Sequence, residues 1–507
     1  RSTVGTTTEI YDFLRLLYSR CSEAYSYVTD KKMISYTSEQ ILDLIENIYL
    51  DKKIILLSPV IKSRKGEDLT KEDIVLYTRS FILWLENEKL IINNKVVVGR
   101  DARISGKMVE DLVLDTLIKM GVNVVCLGLS TTPTVEIAVP LENADAGIII
   151  TASHNPRNWN ALKLINNKGE FINAKDGEKL LKIANSNPSY KYNSKNIGEV
   201  EFKNQYIDTH TDLIINLPLV DADLIRSRNF KVVVDAVNST GGIAVPNLLN
   251  KLGVEVIKLY CDPNGEFPHN PEPLKENLTD LSKLVIKEKA DFGIVVDPDV
   301  DRLAFVSENG EVFGEEYTLV ACADYFLKNN PGITVSNLSS SRALRDITES
   351  YGCEYFSSAV GEVNVVEKMK EKNAVIGGEG NGGIILPELH YGRDALVGIA
   401  LFLTHLSKLN ISCSDLRKKY PDYFMSKEKV DLSHDLDLDS IIDNIKEKYS
   451  HEKTSSVDGL KIDFEDSWVQ LRKSNTEPIV RVYSEAKSQK SADELSAKFI
   501  SEIKNFS

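Results

Sequence analysis

No two cysteines in this chain are spaced C-x-x-C. The six present, Cys21, Cys126, Cys261, Cys322, Cys353 and Cys413, are scattered singly. That spacing argues against a zinc site and a disulfide framework, and it fits a reducing cytoplasm. No apolar run approaches the roughly 20 residues needed to span a bilayer, so no membrane partner is expected. Basic residues are in the minority, 61 against 75 acidic ones, for a formal net charge of −14. An acidic balance repels nucleic acid and anionic lipid, so neither is expected to bind. A phosphorylated ligand would have to be held by a local cluster of cations or backbone amides. Nothing near Arg1 resembles a signal peptide, and the start reads as a truncated or spliced end.

What is present points to several domains. At 507 residues, with 42% apolar and 27% charged side chains, the chain suits three or four globular units. KVVVG (95–99), NVVCLG (123–128) and GIIITA (147–152) read as buried strands. KVVVDA (231–236), EVIKLY (255–260) and FGIVVD (292–297) form a second set, and ITVSNL (333–338), CEYFSS (353–358) and NAVIGG (373–378) a third. Continuous β-branched runs separated by helical stretches indicate parallel sheets covered on both faces. Their recurrence near every hundred residues predicts three similar α/β units. The polar stretch 185–196 and the turn at 308–310 are boundary candidates. After Tyr420, strands near Trp468 and Val480 and a helix over 489–505 predict a smaller α+β domain. The first 66 residues read as an extra α/β fragment.

Four polar segments follow strands or sit in loops. TASHNP (151–156) offers Ser153 as a nucleophile or phosphate carrier beside His154, or is simply a polar turn. DPDVDR (297–302) carries Asp297, Asp299 and Asp301, which share a face if the chain is extended and then suit Mg²⁺. Arg302 can fork onto phosphate. A solvated acidic turn is the alternative; an EF-hand is disfavoured because Arg302 stands where its loop requires glycine. GGEGNGG (377–383) is a glycine-walled turn in which Glu379 and Asn381 can bond hydroxyls. RKSNTEPIVR (472–481) gathers Arg472, Ser474, Asn475, Thr476 and Arg481, donors enough for a dianion or an exposed cationic turn. In GRDARISG (99–106), Arg103 and Ser105 either face phosphate or cap the helix near Gly106.

In this order the motifs resemble the α-D-phosphohexomutase family over about residues 67–507. The resemblance implies four domains around one cleft, here 67–199, 200–309, 310–424 and 425–507. It implies a phosphoserine at Ser153 and one Mg²⁺ held by Ser153, Asp297, Asp299 and Asp301. Glu379 and Asn381 would contact sugar hydroxyls, Arg103 and the 472–481 loop would hold phosphate, and His154 and Arg302 would serve the reacting centre. Lys163 matches a lysine placed near the reacting oxygen, and is expected to act as acid or base if the cleft depresses its pKa. The reaction implied is transfer between hydroxyls of a hexose phosphate through a bisphosphorylated sugar, with hexose 1,6-bisphosphate as activator, in a cytoplasmic monomer or homodimer. A mobile fourth domain would let that intermediate turn around. GGEGNGGIILPELHYGRDALVG is most similar to phosphoglucosamine mutases common in Bacteroidetes, ahead of phosphoglucomutase or phosphomannomutase. It departs from the commoner loop in having Asn381 at the serine and Gly383 at the histidine position.

Residues 1–66 instead resemble an internal stretch of the ATPase component of the bacterial excision nuclease, without its nucleotide motifs. They stand where the family's opening strand and arginine loop belong. That replacement implies a junction of two unrelated genes and raises two alternatives, an impaired sugar-phosphate binder and, more remotely, a DNA-repair component.

Overall fold

The computed structural model describes residues 69–189, 196–431, 438–473 and 479–505, so the expected N-terminal fragment lies outside it. Near the start of the described chain Thr70 caps helix Lys71–Asn87 through a reciprocal bond with Asp73.

The first sheet comprises β1 (Lys95–Arg100), β2 (Asn123–Leu129), β3 (Ala146–Ile150), β4 (Leu162–Asn166) and β5 (Val200–Phe202), in the order β4-β3-β1-β2-β5. The second holds β6 (Lys231–Asp235), β7 (Glu255–Leu259), β8 (Phe292–Val296) and β9 (Leu303–Ser307), ordered β7-β6-β8-β9. The third repeats that plan with β10 (Thr334–Asn337), β11 (Tyr355–Ser358), β12 (Ile376–Glu379) and β13 (Gly383–Ile385), ordered β11-β10-β12-β13. Every residue of β3 and β8 is buried, which is why their sequences do not alternate.

The sheets are mixed rather than purely parallel. β4, β9 and β13 each return antiparallel to the strand before them. A parallel crossover takes a dozen or more residues, and each of these connections is shorter, so the returning strand reverses direction. TASHNP, DPDVDR and GGEGNGG lie on the three turns that make these reversals, at equivalent places in three sheets. The fold thus delivers three polar loops from the same kind of corner.

The second and third sheets share one continuous core. At its centre Phe305 and Phe402 stack with ring centroids 3.8 Å apart, and Phe292 and Phe313 meet Phe402 edge-on. The C-terminal body is an antiparallel sheet of β14 (Phe424–Asp431), β15 (Lys453–Ser455), β16 (Leu460–Asp463), β17 (Trp468–Lys473) and β18 (Ile479–Ala486), with helix Gln489–Asn505. It has a core of its own around Leu460, Val469, Val480 and Phe499. Its seam with the third sheet includes many polar contacts. Lys461 Nζ donates to Leu338 O at 2.6 Å, Arg342 to the carbonyls of Phe464 and Glu465 at 3.1 Å, and Ser339 Oγ to Gln470 Oε1 at 2.7 Å.

Candidate functional site

Ser153 sits in the left-handed backbone region, φ 49°, which costs a non-glycine residue free energy unless its surroundings hold it. They do. Ser153 N donates to Thr151 Oγ1 at 2.9 Å, and that hydroxyl donates to Asp101 Oδ2 at 2.7 Å. Arg103 is buried beneath the loop and donates to the carbonyls of Asn155 (2.8 Å), Trp159 (2.9 Å), Ser153 and Pro156, while its Nε meets Asp101 Oδ2 at 3.0 Å. The expectation that Arg103 faces phosphate is therefore corrected: its donors are committed to holding the Ser153 turn. Burial raises the Asp101 carboxyl to about 6 against the opposing pull of Arg103. Ser105 makes no side-chain cap; its hydroxyl accepts from Asn160 Nδ2 at 3.0 Å.

The acidic residues converge by a turn, not by the extended chain their spacing suggests. Val300 adopts φ 63°, and Asp297 Oδ1 accepts from the amides of Asp301 and Arg302, both at 3.1 Å. Asp297 Oδ2 accepts from Ser153 Oγ at 2.9 Å, joining first and second loops. Asp299 Oδ2 accepts from Thr132 Oγ1 at 2.6 Å and Lys163 Nζ at 2.7 Å. Asp301 Oδ2 accepts from Arg393 at 2.6 Å and Lys163 at 3.4 Å. All three carboxylates are fully buried, and each offers an oxygen within 4.8 Å of the others. Asp299 Oδ1 and Asp301 Oδ1 have no hydrogen-bond partner. Buried oxygens left in that state are costly without a cation, and a small hard divalent ion fits the all-oxygen donor set.

The electrostatics follow the geometry. Burial, then Asp301 and Asp299, raises the Asp297 carboxyl. Burial opposes ionisation of Asp299 too, but Lys163 and Thr132 hold it below the carboxylate range. The depressed pKa on which an acid–base role for Lys163 is conditional is not found. Burial does pull that way, but Asp299 and Asp301 outweigh it and raise its pKa, so the ammonium stays charged. His154 Nδ1 lies 3.5 Å from Ser153 Oγ, and burial followed by the Arg302 charge lowers the ring to about 4. Arg302 pairs with Glu272 at 3.0 Å.

In the third loop, Glu379 Oε1 accepts from Asn337 Nδ2 (2.8 Å) and Gly361 N (3.0 Å), and Oε2 from Arg393 (2.8 Å) and Asn381 Nδ2 (3.4 Å). Asn381 Oδ1 accepts from Gly383 N at 3.2 Å. Arg393 and its second partner Glu362, at 3.0 Å, belong to the site although neither is legible in the sequence. In the fourth motif Arg472 lies opposite Arg481 across β17 and β18, and pairs with Asp458 at 3.1 Å. Asp458 also accepts from Val360 N at 3.0 Å, one residue before the Gly361 amide that serves Glu379. Ser474, Asn475 and Thr476 lie outside the described residues. Loops of three sheets thus meet at one buried charged cluster, linked to the C-terminal body through Asp458.

Comparison with known families matches phosphoglucomutase/phosphomannomutase alpha/beta/alpha domains I, II and III to residues 60–191, 204–310 and 314–423, and the C-terminal domain of that family to 429–502. A phosphoglucomutase/phosphomannomutase of Thermococcus kodakarensis is 36% identical over 402 residues, covering 79% of this chain and 87% of its own. A probable phosphoglucosamine mutase of Methanopyrus kandleri is 31% identical over 443 residues, covering 87% and 95%. The crystal structure of a phosphoglucomutase/phosphomannomutase family protein from Burkholderia thailandensis superposes with a TM-score of 0.76 at 26% identity, over 87% of this chain and 95% of that one.

Proposed function

The chain belongs to the phosphoglucomutase/phosphomannomutase family, isomerase-class enzymes that shift a phosphoryl group within a hexose phosphate, and on that premise we propose that it interconverts glucosamine 6-phosphate and glucosamine 1-phosphate. The observation that carries the reading is Ser153 Oγ, held on a left-handed residue and 2.9 Å from Asp297 of the buried acidic loop. Ser153 is itself buried, with its hydroxyl turned onto the acidic loop.

In the proposed cycle hexose 1,6-bisphosphate primes Ser153. The substrate's free hydroxyl then attacks the phosphorus and gives up its proton, the bond to Ser153 Oγ breaks, and the freed serine oxygen takes up a proton in turn. The bisphosphorylated sugar turns around and returns its other phosphoryl group to Ser153. Transfer of this kind needs in-line positioning and neutralised charge more than covalent catalysis. Mg²⁺ bound by Asp297, Asp299 and Asp301 together with the Ser153 phosphate would supply that neutralisation. Lys163 adds a fixed positive charge between Asp299 and Asp301, and His154 borders the Ser153 hydroxyl. Glu379 and Asn381 face sugar hydroxyls, and Arg472, Arg481 and the segment between them take the phosphate that is not reacting. The cytoplasm is the proposed compartment, in line with the five free cysteines among the described residues.

Labelled glucose 1,6-bisphosphate should phosphorylate the protein, and Ser153→Ala should abolish the label; label surviving in the variant removes Ser153 from the cycle. A panel of glucosamine, glucose and mannose phosphates tests the sugar. Glucose or mannose phosphate is the second reading, favoured by the 36% identity to the Thermococcus kodakarensis relative. Binding without turnover on every sugar would support the impaired binder instead.

A further inference from the structure

We propose that Arg393 is a positioning residue, fixing the sugar-side carboxylate Glu379 against the acidic loop, and that Gly383 provides the space it occupies. The inference rests on the mutase reading and adds a residue to it. One guanidinium meets three buried carboxylates from three elements: Asp301 at 2.6 Å, Glu379 at 2.8 Å and Glu362 at 3.0 Å. Without a cation between them these acids would repel. A planar guanidinium also sets the angle between its partners, which a lysine ammonium cannot do.

Two consequences follow from the bonds. Arg393 occupies Asp301 Oδ2, leaving the unpartnered Oδ1 as the oxygen offered to a cation. It also fills one place on Glu379, whose two oxygens accept four donors, about as many as a carboxylate takes. The weakest of these is Asn381 at 3.4 Å, so a sugar hydroxyl enters there while Arg393 keeps Glu379 in place.

Gly383 gives an independent handle. A Cβ built on it would lie 2.3 Å from Arg393 Cδ and 2.9 Å from Cγ, far inside contact distance. Its backbone is not left-handed, so alanine is compatible with the strand and the strain falls on the arginine. Gly383→Ala therefore displaces the guanidinium while every charge remains.

The test is Mn²⁺ titration calorimetry on the full chain, with thermal melts to confirm folding and KM and kcat on glucosamine 6-phosphate. Arg393→Lys and Gly383→Ala should each weaken Mn²⁺ binding by about 10- to 100-fold, as loss of a partner behind a metal ligand does. The double variant should be no weaker than the worse single, because both remove the same tether. Folded variants with wild-type Mn²⁺ affinity, or a double whose loss is the product of the singles, would overturn the inference. If Arg393→Lys does not fold, Gly383→Ala decides alone. Wild-type protein that turns over no hexose phosphate ends the mutase reading, while the titration still judges the tether.

Discussion

His390 Nδ1 stands 3.3 Å from Glu136 Oε2, a histidine–carboxyl contact between helix Thr132–Leu141 of the first sheet and the loop after β13. The other ring nitrogen is 3.4 Å from Asp394 Oδ2, which also accepts from His210 Nε2 at 2.8 Å. Asp394 in turn caps the core helix Ala395–Leu409. This chain of histidines and carboxyls therefore ties first and third sheets together.

Stability should fall as pH rises from neutrality. Burial lowers the His390 pKa, but Asp394 and Glu136 raise it, to about 10. A raised histidine contributes stability fully below its unfolded pKa of about 6.5 and loses it as pH passes the folded value. Burial raises Glu136 to about 8 despite His390, so its proton too is retained by the folded state and lost with rising pH. Both act in the same direction. Melting temperatures across pH 6.5 to 10 should decline, and Glu136→Gln should flatten the slope; an unchanged slope would show that the pair is not what titrates.

Arg103→Met should cost about 3–5 kcal/mol in urea denaturation, because it leaves Asp101 buried without its counter-charge. The carbonyls of the Ser153 turn lose their donor as well, so phosphorylation of Ser153 should fall with stability. A stable variant that labels normally would show that the turn holds itself.

Lys163→Met should move two observables in opposite directions. Removing a cation 2.7 Å from Asp299 should tighten binding of divalent metal, read by calorimetry. Turnover should drop by about 10²–10³-fold, the usual loss when a fixed charge beside a transition state is removed. Weaker metal binding would mean the lysine organises the carboxylates rather than competing for them.

Phe402→Ala should destabilise by about 3–5 kcal/mol, the cost of emptying a packed aromatic site. Its ring stacks on Phe305 and touches Phe292 and Phe313, so the second and third sheets should weaken together, in one transition. Two separate transitions would show that the shared core does not couple them.

Strands are the most legible part of the chain, because runs such as FGIVV are buried along their whole length and carry no competing periodicity. The antiparallel return strands are harder to see. LKLIN is half-buried and mixed in polarity, and GII is only three residues long. Ser153 and the three aspartates announce themselves by type and spacing, but the geometry joining them does not: Val300 has no local signal for a left-handed turn. Arg393 is invisible for another reason. Its partners Asp301 and Glu362 lie 92 and 31 residues away, and only the folded chain brings them to one guanidinium. For His390 and Asp394 the four-residue spacing is a usable clue, but their partners Glu136 and His210 lie far off in the chain.

The seam of the C-terminal body has a mechanical consequence. Among the contacts described across it are donors resting on main-chain oxygens, from Lys461 to Leu338 and from Arg342 to Phe464 and Glu465. Water can replace such contacts one for one, and the body has an apolar interior of its own. A joint of this construction can part and re-form on the same oxygens, which is what reorientation of the sugar in the proposed cycle would require.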